Sequence, residues 1–313
     1  MAVLPLYPVV VCFVSGFEFP LETKTVENLL LAPRQCEMEQ RGKNSSQSRR
    51  RIFWQHWGSD RTLRGDGFRM GRLLILAGPS CAGKTPLRKC LARCHPEVSQ
   101  TFGKVVLYNS RPPRIGEVDG HDYHFRTRTE VEQYLRDDKF LGMETRGDLQ
   151  ALDLETLRDN LAKGDFLHEG NTFMAHAMLT HPALDQFKTL SIFVSPLSGE
   201  EMQFIHGKET IEPRSFVAEV MRKKLLRRMR AYKGEMSKPD LEEVERRAGT
   251  AYDELRLARH FDHVIVNHDG EDSENWEAFH YPLGDARRAM FAFMALLKGE
   301  SYPTEHWKTG SWT

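Results

Sequence analysis

Leu73-Leu74-Ile75-Leu76-Ala77, followed by Gly78-Pro79-Ser80-Cys81-Ala82-Gly83-Lys84-Thr85, is the stretch on which the reading of this chain turns. An unbroken apolar run closed by glycine predicts a strand buried on both faces, as in a parallel sheet. The residues after it satisfy G-x-x-x-x-G-K-[ST]. Glycine lets the backbone turn sharply, so that successive N–H groups converge on phosphate oxygens. Lys84 is the expected partner of β- and γ-phosphates, and the Thr85 hydroxyl the expected Mg²⁺ ligand. All eight residues from Gly78 to Thr85 are therefore candidate ATP contacts. Leu87, Cys90, Leu91 and Cys94 then recur at helical spacing. They predict a helix whose positive N-terminal end faces the phosphates. Pro86 falls in the first turn, where no hydrogen bond is lost. Cys81 reads as a small loop residue, since a reactive thiol needs exposure and a lowered pKa.

Composition narrows the class. With 313 residues the chain can bury a large core without disulfides. Lys+Arg is 44 and Asp+Glu is 44. A zero net charge argues against a protein that coats nucleic acid. A 40% hydrophobic and 28% charged chain is ordinary for a globular protein. No apolar run approaches the roughly 20 residues of a membrane span. The 5 cysteines lack zinc-type spacing, which points to free thiols in a reducing, cytoplasmic setting.

Residues 1–69 read unlike the remainder. Residues 1–16 are apolar but carry two prolines and no basic start, which weighs against a secretory signal. Residues 34–69 are rich in Arg, Gln, Ser and Gly, with little periodicity. The expectation is a disordered or mispredicted extension, with Met70 opening a functional domain over 70–313. There, strands alternate with helices. This pattern predicts a three-layer α/β fold of the P-loop NTPase type, with a mainly parallel sheet.

The second informative segment follows an expected strand at 105–108. It reads Ser110-Arg111-Pro112-Pro113-Arg114-Ile115-Gly116-Glu117-Val118-Asp119-Gly120-His121-Asp122-Tyr123-His124-Phe125. Taken alone, it is either a charged surface turn or a pair of guanidinium forks suited to phosphate oxygens. It resembles the acceptor-binding stretch of the guanylate kinase family, T-R-P-P-R-x-G-E-V-x-G-x-D-Y-x-F. The resemblance implies that Arg111, Arg114 and Tyr123 hold an acceptor phosphate and that Glu117 orders the site. It extends with gaps over about 70–270.

Residues 165–171 stand where the family has a strand ending L-L-E-I-D. This places Glu169 and Asn171 at the acceptor site; Glu169 reads either as an orienter of Mg²⁺ waters or as a capping carboxylate. Asp153 and Gly164 bracket an expected helix at 154–163. Residues 191–201 resemble the family's S-I-F-I-x-P-x-S-x-E-E. Arg247 takes the place of a phosphate-binding lid arginine, with Arg230 as its candidate partner; the basic run 222–230 also reads as a solvated helix face. Asn267 ends a segment like Y-V-I-V-N and is implied to lie near the adenine of ATP. A last helix is expected at 285–298. The implied subdivisions are an acceptor insert at about 105–150 and a mobile lid at about 205–250, enlarged by insertions near 203–224 and 231–239.

The departures from the family concern the base. A guanine-contacting serine is Leu107, and the guanine-reading glutamate falls at Gly142, with Glu144 as a substitute only after a register shift. The stretch G-N-Y-Y-G-[ST] is replaced by Gly147-Asp148-Leu149-Gln150-Ala151-Leu152, and the aspartate of L-L-E-I-D by Asn171. The resemblance implies transfer of the γ-phosphoryl of MgATP to a small phosphorylated acceptor, with GMP the default. A different phosphorylated acceptor and a non-catalytic binding module are the alternatives. Neither nucleic acid nor membrane is expected as a partner.

Overall fold

Each side chain of the apolar run is buried, Leu73 through Ala77. It lies within a computed structural model that describes residues 70–308, Ile115 excepted. The expectations for residues 1–69 lie outside the described residues. In chain order the elements are β1 (Leu73–Ala77), α1 (Lys84–Cys94), α2 (Pro96–Ser99), β2 (Phe102–Lys104), β3 (Tyr108–Asn109) and β4 (His124–Phe125). Next come α3 (Arg128–Tyr134), β5 (Phe140–Thr145), β6 (Asp148–Asp153), α4 (Leu154–Leu161), β7 (Asp165–Glu169) and α5 (Thr172–Leu179). The chain continues through β8 (Thr189–Ser195), α6 (Gly199–His206), α7 (Pro213–Lys233), α8 (Lys238–Leu257), β9 (His263–Val266) and α9 (Gly284–Lys298).

Among the described residues, one sheet has the order β2-β7-β1-β8-β9, with every pairing parallel. β1 is central, which explains its unbroken apolar sequence. Its pleat sends Leu73, Ile75 and Ala77 into a core shared with α4, α5, α7 and α8. Leu74 and Leu76 enter a second core built with α1 and α9. Helices on both faces make the three layers of a P-loop NTPase fold. Each fully buried Leu, Met or Phe in these cores contributes about 1.5–3 kcal/mol. In α9, Ala286, Ala289, Met290, Phe293 and Leu297 form the buried stripe, and Gly299 at φ 72° ends the helix. No helix among the described residues is long and apolar enough to cross a membrane.

A second sheet occupies residues 108–153 in the order β4-β3-β6-β5. The expected strand at 105–108 is divided by the passage between the sheets. The N–H of Val105 still bonds the Leu167 carbonyl at 2.9 Å, and the chain joins the second sheet at Tyr108. β5 and β6 form a hairpin closed by Arg146 and Gly147, at φ 58° and 87°. Two-residue hairpin turns favour positive φ, which suits glycine; for arginine it costs about 1–2 kcal/mol.

The helix expected at 154–163 starts as anticipated, with the Asp153 carboxylate accepting from the Thr156 N–H at 2.9 Å. It ends earlier, at Leu161, with Ala162 as its last half-turn. In the stretch expected to be a lid, α7 and α8 pack on each other and are joined by residues 234–237. The Lys224 ammonium, buried on α7, donates to the His268 carbonyl.

Candidate active site

A cleft of about 340 Å³ opens at the carboxyl ends of β1 and β7, where ligands of open α/β sheets bind. The loop after β1 forms one wall. Gly78 stands at φ 143°, and a Cβ there would lie 2.3 Å from the Val194 carbonyl oxygen. Gly83, at φ 100°, leads into α1. Lys84 is 8% exposed, and its ammonium donates to the carbonyls of Gly78 at 2.7 Å and Pro79 at 2.8 Å. Burial draws its pKa down, against the pull of Glu271, Glu254 and Glu169. Cys81 is fully buried; burial, and then the Glu271 carboxylate, push its thiol up to about 11. That is an inert thiol, as the sequence reading held.

At the end of β7, Glu169 accepts from the Thr85 hydroxyl at 2.7 Å and from the Arg88 guanidinium at 2.5 Å. It is therefore no helix cap. That role belongs to Asn171, which accepts from the Met174 N–H at 2.8 Å and donates to Gln150 at 2.7 Å.

The opposite wall carries the two arginines of the proline-stiffened turn. The Arg111 guanidinium makes a two-pronged ion pair with Glu117, both bonds 2.7 Å. It lies 5.2 Å from the ring centre of Tyr123. Glu117 also accepts from the backbone N–H of Arg114 at 2.8 Å, so one carboxylate fixes both arginines. Burial works against its charge, but the hydrogen bonds and charges of Arg111 and Arg114 together outweigh it and hold the carboxyl below its usual range. The Arg114 side chain reaches the cleft, where desolvation and then the Arg247 and Arg111 cations bring its pKa down to about 10. Arg247 comes from α8 and is held by Glu243 at 2.6 and 2.5 Å.

One expectation needs correction. Arg230 is exposed and does not line the cleft; the cation α7 places there is Arg228, 2.7 Å from Glu271. Residues two apart on a helix point to opposite sides. The buried positions Val217, Met221, Lys224 and Leu225 set the phase that selects 228. Asn267, expected near the adenine, is fully buried behind the loop, where its amide donates to the Ala82 carbonyl at 2.7 Å.

The base-reading departures also look different in three dimensions. Gly142 faces α3, where a Cβ would meet Leu135 at 2.4 Å. Glu144 points the same way, is exposed, and pairs with Arg128 at 3.2 Å, so it is no substitute. The other face of the hairpin carries Leu141, Met143 and Thr145, opposite Leu152, Gln150 and Asp148. Thr145, Asp148 and Gln150 reach the cleft, while Leu152 and Leu107 are buried in the core.

Arg88, Arg146, Asp148, His168, Arg228 and Glu271 also line the cleft, and no motif marked them. His168 is 2% exposed, and its Nε2 has no hydrogen-bond partner among the described residues. Burial pushes the imidazole down to about 4. The unfolded chain, with a value near 6.5, therefore binds the proton first as pH falls. Stability is full above pH 6.5 and is lost as pH falls through about 4, by roughly 3 kcal/mol. His168→Gln should remove this share of the acid sensitivity when urea unfolding is compared at pH 7 and pH 4. An equal pH slope in variant and parent would refute it.

A second cavity of about 370 Å³ lies beyond the loop, against α1 and α7. It shares Thr85, Arg228 and Glu271 with the first. The glycine-rich loop thus sits between two spaces, one facing the arginine turn and one facing Tyr232, Asp272 and Trp276.

Comparison with known proteins agrees with this arrangement. The family model described as guanylate kinase matches residues 70–224. A guanylate kinase of Nitrosospira multiformis is 30% identical over 200 residues, covering 63% of this chain and 78% of that protein. The guanylate kinase of Nitratidesulfovibrio vulgaris is 32% identical over 206 residues, covering 65% and 82%. That of Corynebacterium jeikeium is 31% identical over 206 residues, covering 64% and 89%. Relatives aligned over most of their own length, on a chain that sets a glycine-rich cradle opposite a double-arginine turn, leave one conclusion: the chain belongs to the guanylate kinase family and is a phosphotransferase.

Proposed function

We propose that the protein transfers the γ-phosphoryl of MgATP to the phosphate of a nucleoside monophosphate, with GMP the default acceptor. The observation that carries this reading is one cleft lined by both the Lys84 cradle and the cations Arg111, Arg114 and Arg247. Donor phosphates lie in the cradle, with their nucleoside in the second cavity. The acceptor phosphate lies against Arg111, Arg114 and Tyr123. The Glu243 carboxylate, 3.8 Å from Arg114 and bonded to Arg247, marks a seat between cations that an anion can take.

An oxygen of the acceptor phosphate forms the new bond to the γ-phosphorus as the bond to the β-phosphate oxygen breaks. That oxygen is already anionic, so no strong base is needed. The work is alignment and charge neutralisation. Lys84 and Arg247 spread the developing charge, and the Arg111–Glu117 pair keeps the acceptor in line. The Thr85 hydroxyl and the Glu169 carboxylate fit Mg²⁺, which takes one or two protein oxygens and completes its shell with phosphate and water. When bound, the ion neutralises charge on the β- and γ-oxygens. In this reading residues 108–153 serve the acceptor and α7–α8 cover the site.

The alternative, a different phosphorylated acceptor, rests on the replaced base-reading positions. Leu107 and Leu152 are buried in the core and offer a base no hydrogen bond. The test is ATP turnover by the full chain with Mg²⁺ against GMP, dGMP, AMP, CMP, UMP and sugar phosphates. Fast turnover with GMP supports the first reading, and turnover confined to another phosphate supports the second. With whichever acceptor is used, Arg114→Ala should raise its KM by about 10- to 100-fold, the worth of one charged hydrogen bond, and leave the KM for ATP unchanged. A rise in both constants alike would argue against an acceptor clamp.

A further inference from the structure

We propose that Arg146 is a catalytic residue whose guanidinium contacts the phosphoryl group as it crosses from the cradle to the acceptor. The inference rests on the phosphotransfer reading above and adds a residue to it.

Arg146 occupies a position its backbone disfavours. The turn between β5 and β6 requires positive φ, for which asparagine is the natural residue before Gly147. Non-glycine residues held in this region concentrate at functional sites.

The side chain spans three elements. Its Nε donates to the Thr250 hydroxyl at 3.3 Å and its NH2 to Glu254 at 2.5 Å, both on α8. Its NH1 donates to the Ser80 hydroxyl at 3.3 Å, inside the phosphate loop. Glu254 is fully buried and also accepts from Thr172 at 2.9 Å and Thr250 at 3.0 Å. One edge of the guanidinium is thus gripped from behind, while the NH1 edge stands over the loop with N–H donors to spare.

The position fits charge developing between two phosphates. Arg146 lines the same cleft as Lys84, Arg111, Arg114 and Arg247. It borders the loop through Ser80. Its hairpin neighbours Thr145 and Asp148 line the acceptor half. A rigid planar fork matches phosphoryl oxygens better than a point charge does. A donor fixed before the reaction costs no reorganisation during it. The pairing with Glu254 supplies that fixation.

The rival role is structural: Arg146 merely neutralises Glu254. Steady-state kinetics of Arg146→Ala and Arg146→Lys, with the acceptor found active, separate the two. Arg146→Lys keeps a cation beside Glu254 if Arg146→Ala fails to fold. The expected result is a fall in kcat of about 10²- to 10³-fold. Both KM values should stay within about threefold, because the contact is made in the transition state. Added guanidinium should restore part of the Arg146→Ala rate. A folded variant with near-parental kcat, or a loss confined to KM and melting temperature and not rescued by guanidinium, would overturn the assignment. If the parent enzyme transfers phosphate to no acceptor, the phosphotransfer reading itself falls and takes this inference with it.

Discussion

Replacing Lys84 by alanine should lower turnover by on the order of 10³-fold, the cost of removing one preorganised donor from developing charge. Lys84 now spends its ammonium on the Gly78 and Pro79 carbonyls, at 2.7 and 2.8 Å. Bound donor phosphates would take it over. The ammonium is buried, with Glu271, Glu254 and Glu169 supporting its charge. It therefore acts at low local dielectric, where one cation counts for more than at a surface. ATP titration of the folded variant is the second readout. Affinity equal to that of the parent would mean that the cradle does not hold the donor phosphates.

Glu254→Ala should be the most damaging single change to stability, by about 3–5 kcal/mol. The carboxylate is fully buried, and its removal takes away the one anion that the Arg146 guanidinium and the Thr172 and Thr250 hydroxyls share. A chain of this size should then melt on the order of 10 °C lower. The comparison is Glu144→Ala. Glu144 also pairs with an arginine, at 3.2 Å, but it is exposed, so its loss should cost less than about 1 kcal/mol. Equal melting temperatures for the two variants would show that burial is not what gives the Glu254 network its worth.

The parts legible in the sequence are those in which neighbouring residues do the work. The apolar run, the loop after it and the turn from Arg111 to Tyr123 each form their geometry locally, so spacing alone located them. Asp153 was readable as a cap for the same reason. The parts that escaped depend on phase or on distant partners. A basic run such as 222–230 does not reveal which helix face is buried, and the buried stripe selects Arg228 over Arg230. Arg146 meets residues 66 and 108 positions away, and no local pattern announces either contact. Gly142 takes the base-reading position only through the likeness of residues 140–143 to the family. A strand alternates its faces: Leu141, Met143 and Thr145 share one face of β5, and Gly142 lies on the other, where a Cβ would meet Leu135.

The bond from Asn267 to the Ala82 carbonyl ties the glycine-rich loop to a residue 185 positions later. During synthesis the loop leaves the ribosome long before the side chain that pins it. A nascent chain stopped short of β9 carries every letter of the motif, yet lacks the brace that sets its shape. The loop is thus braced only once β9 and the residue that follows it are in place.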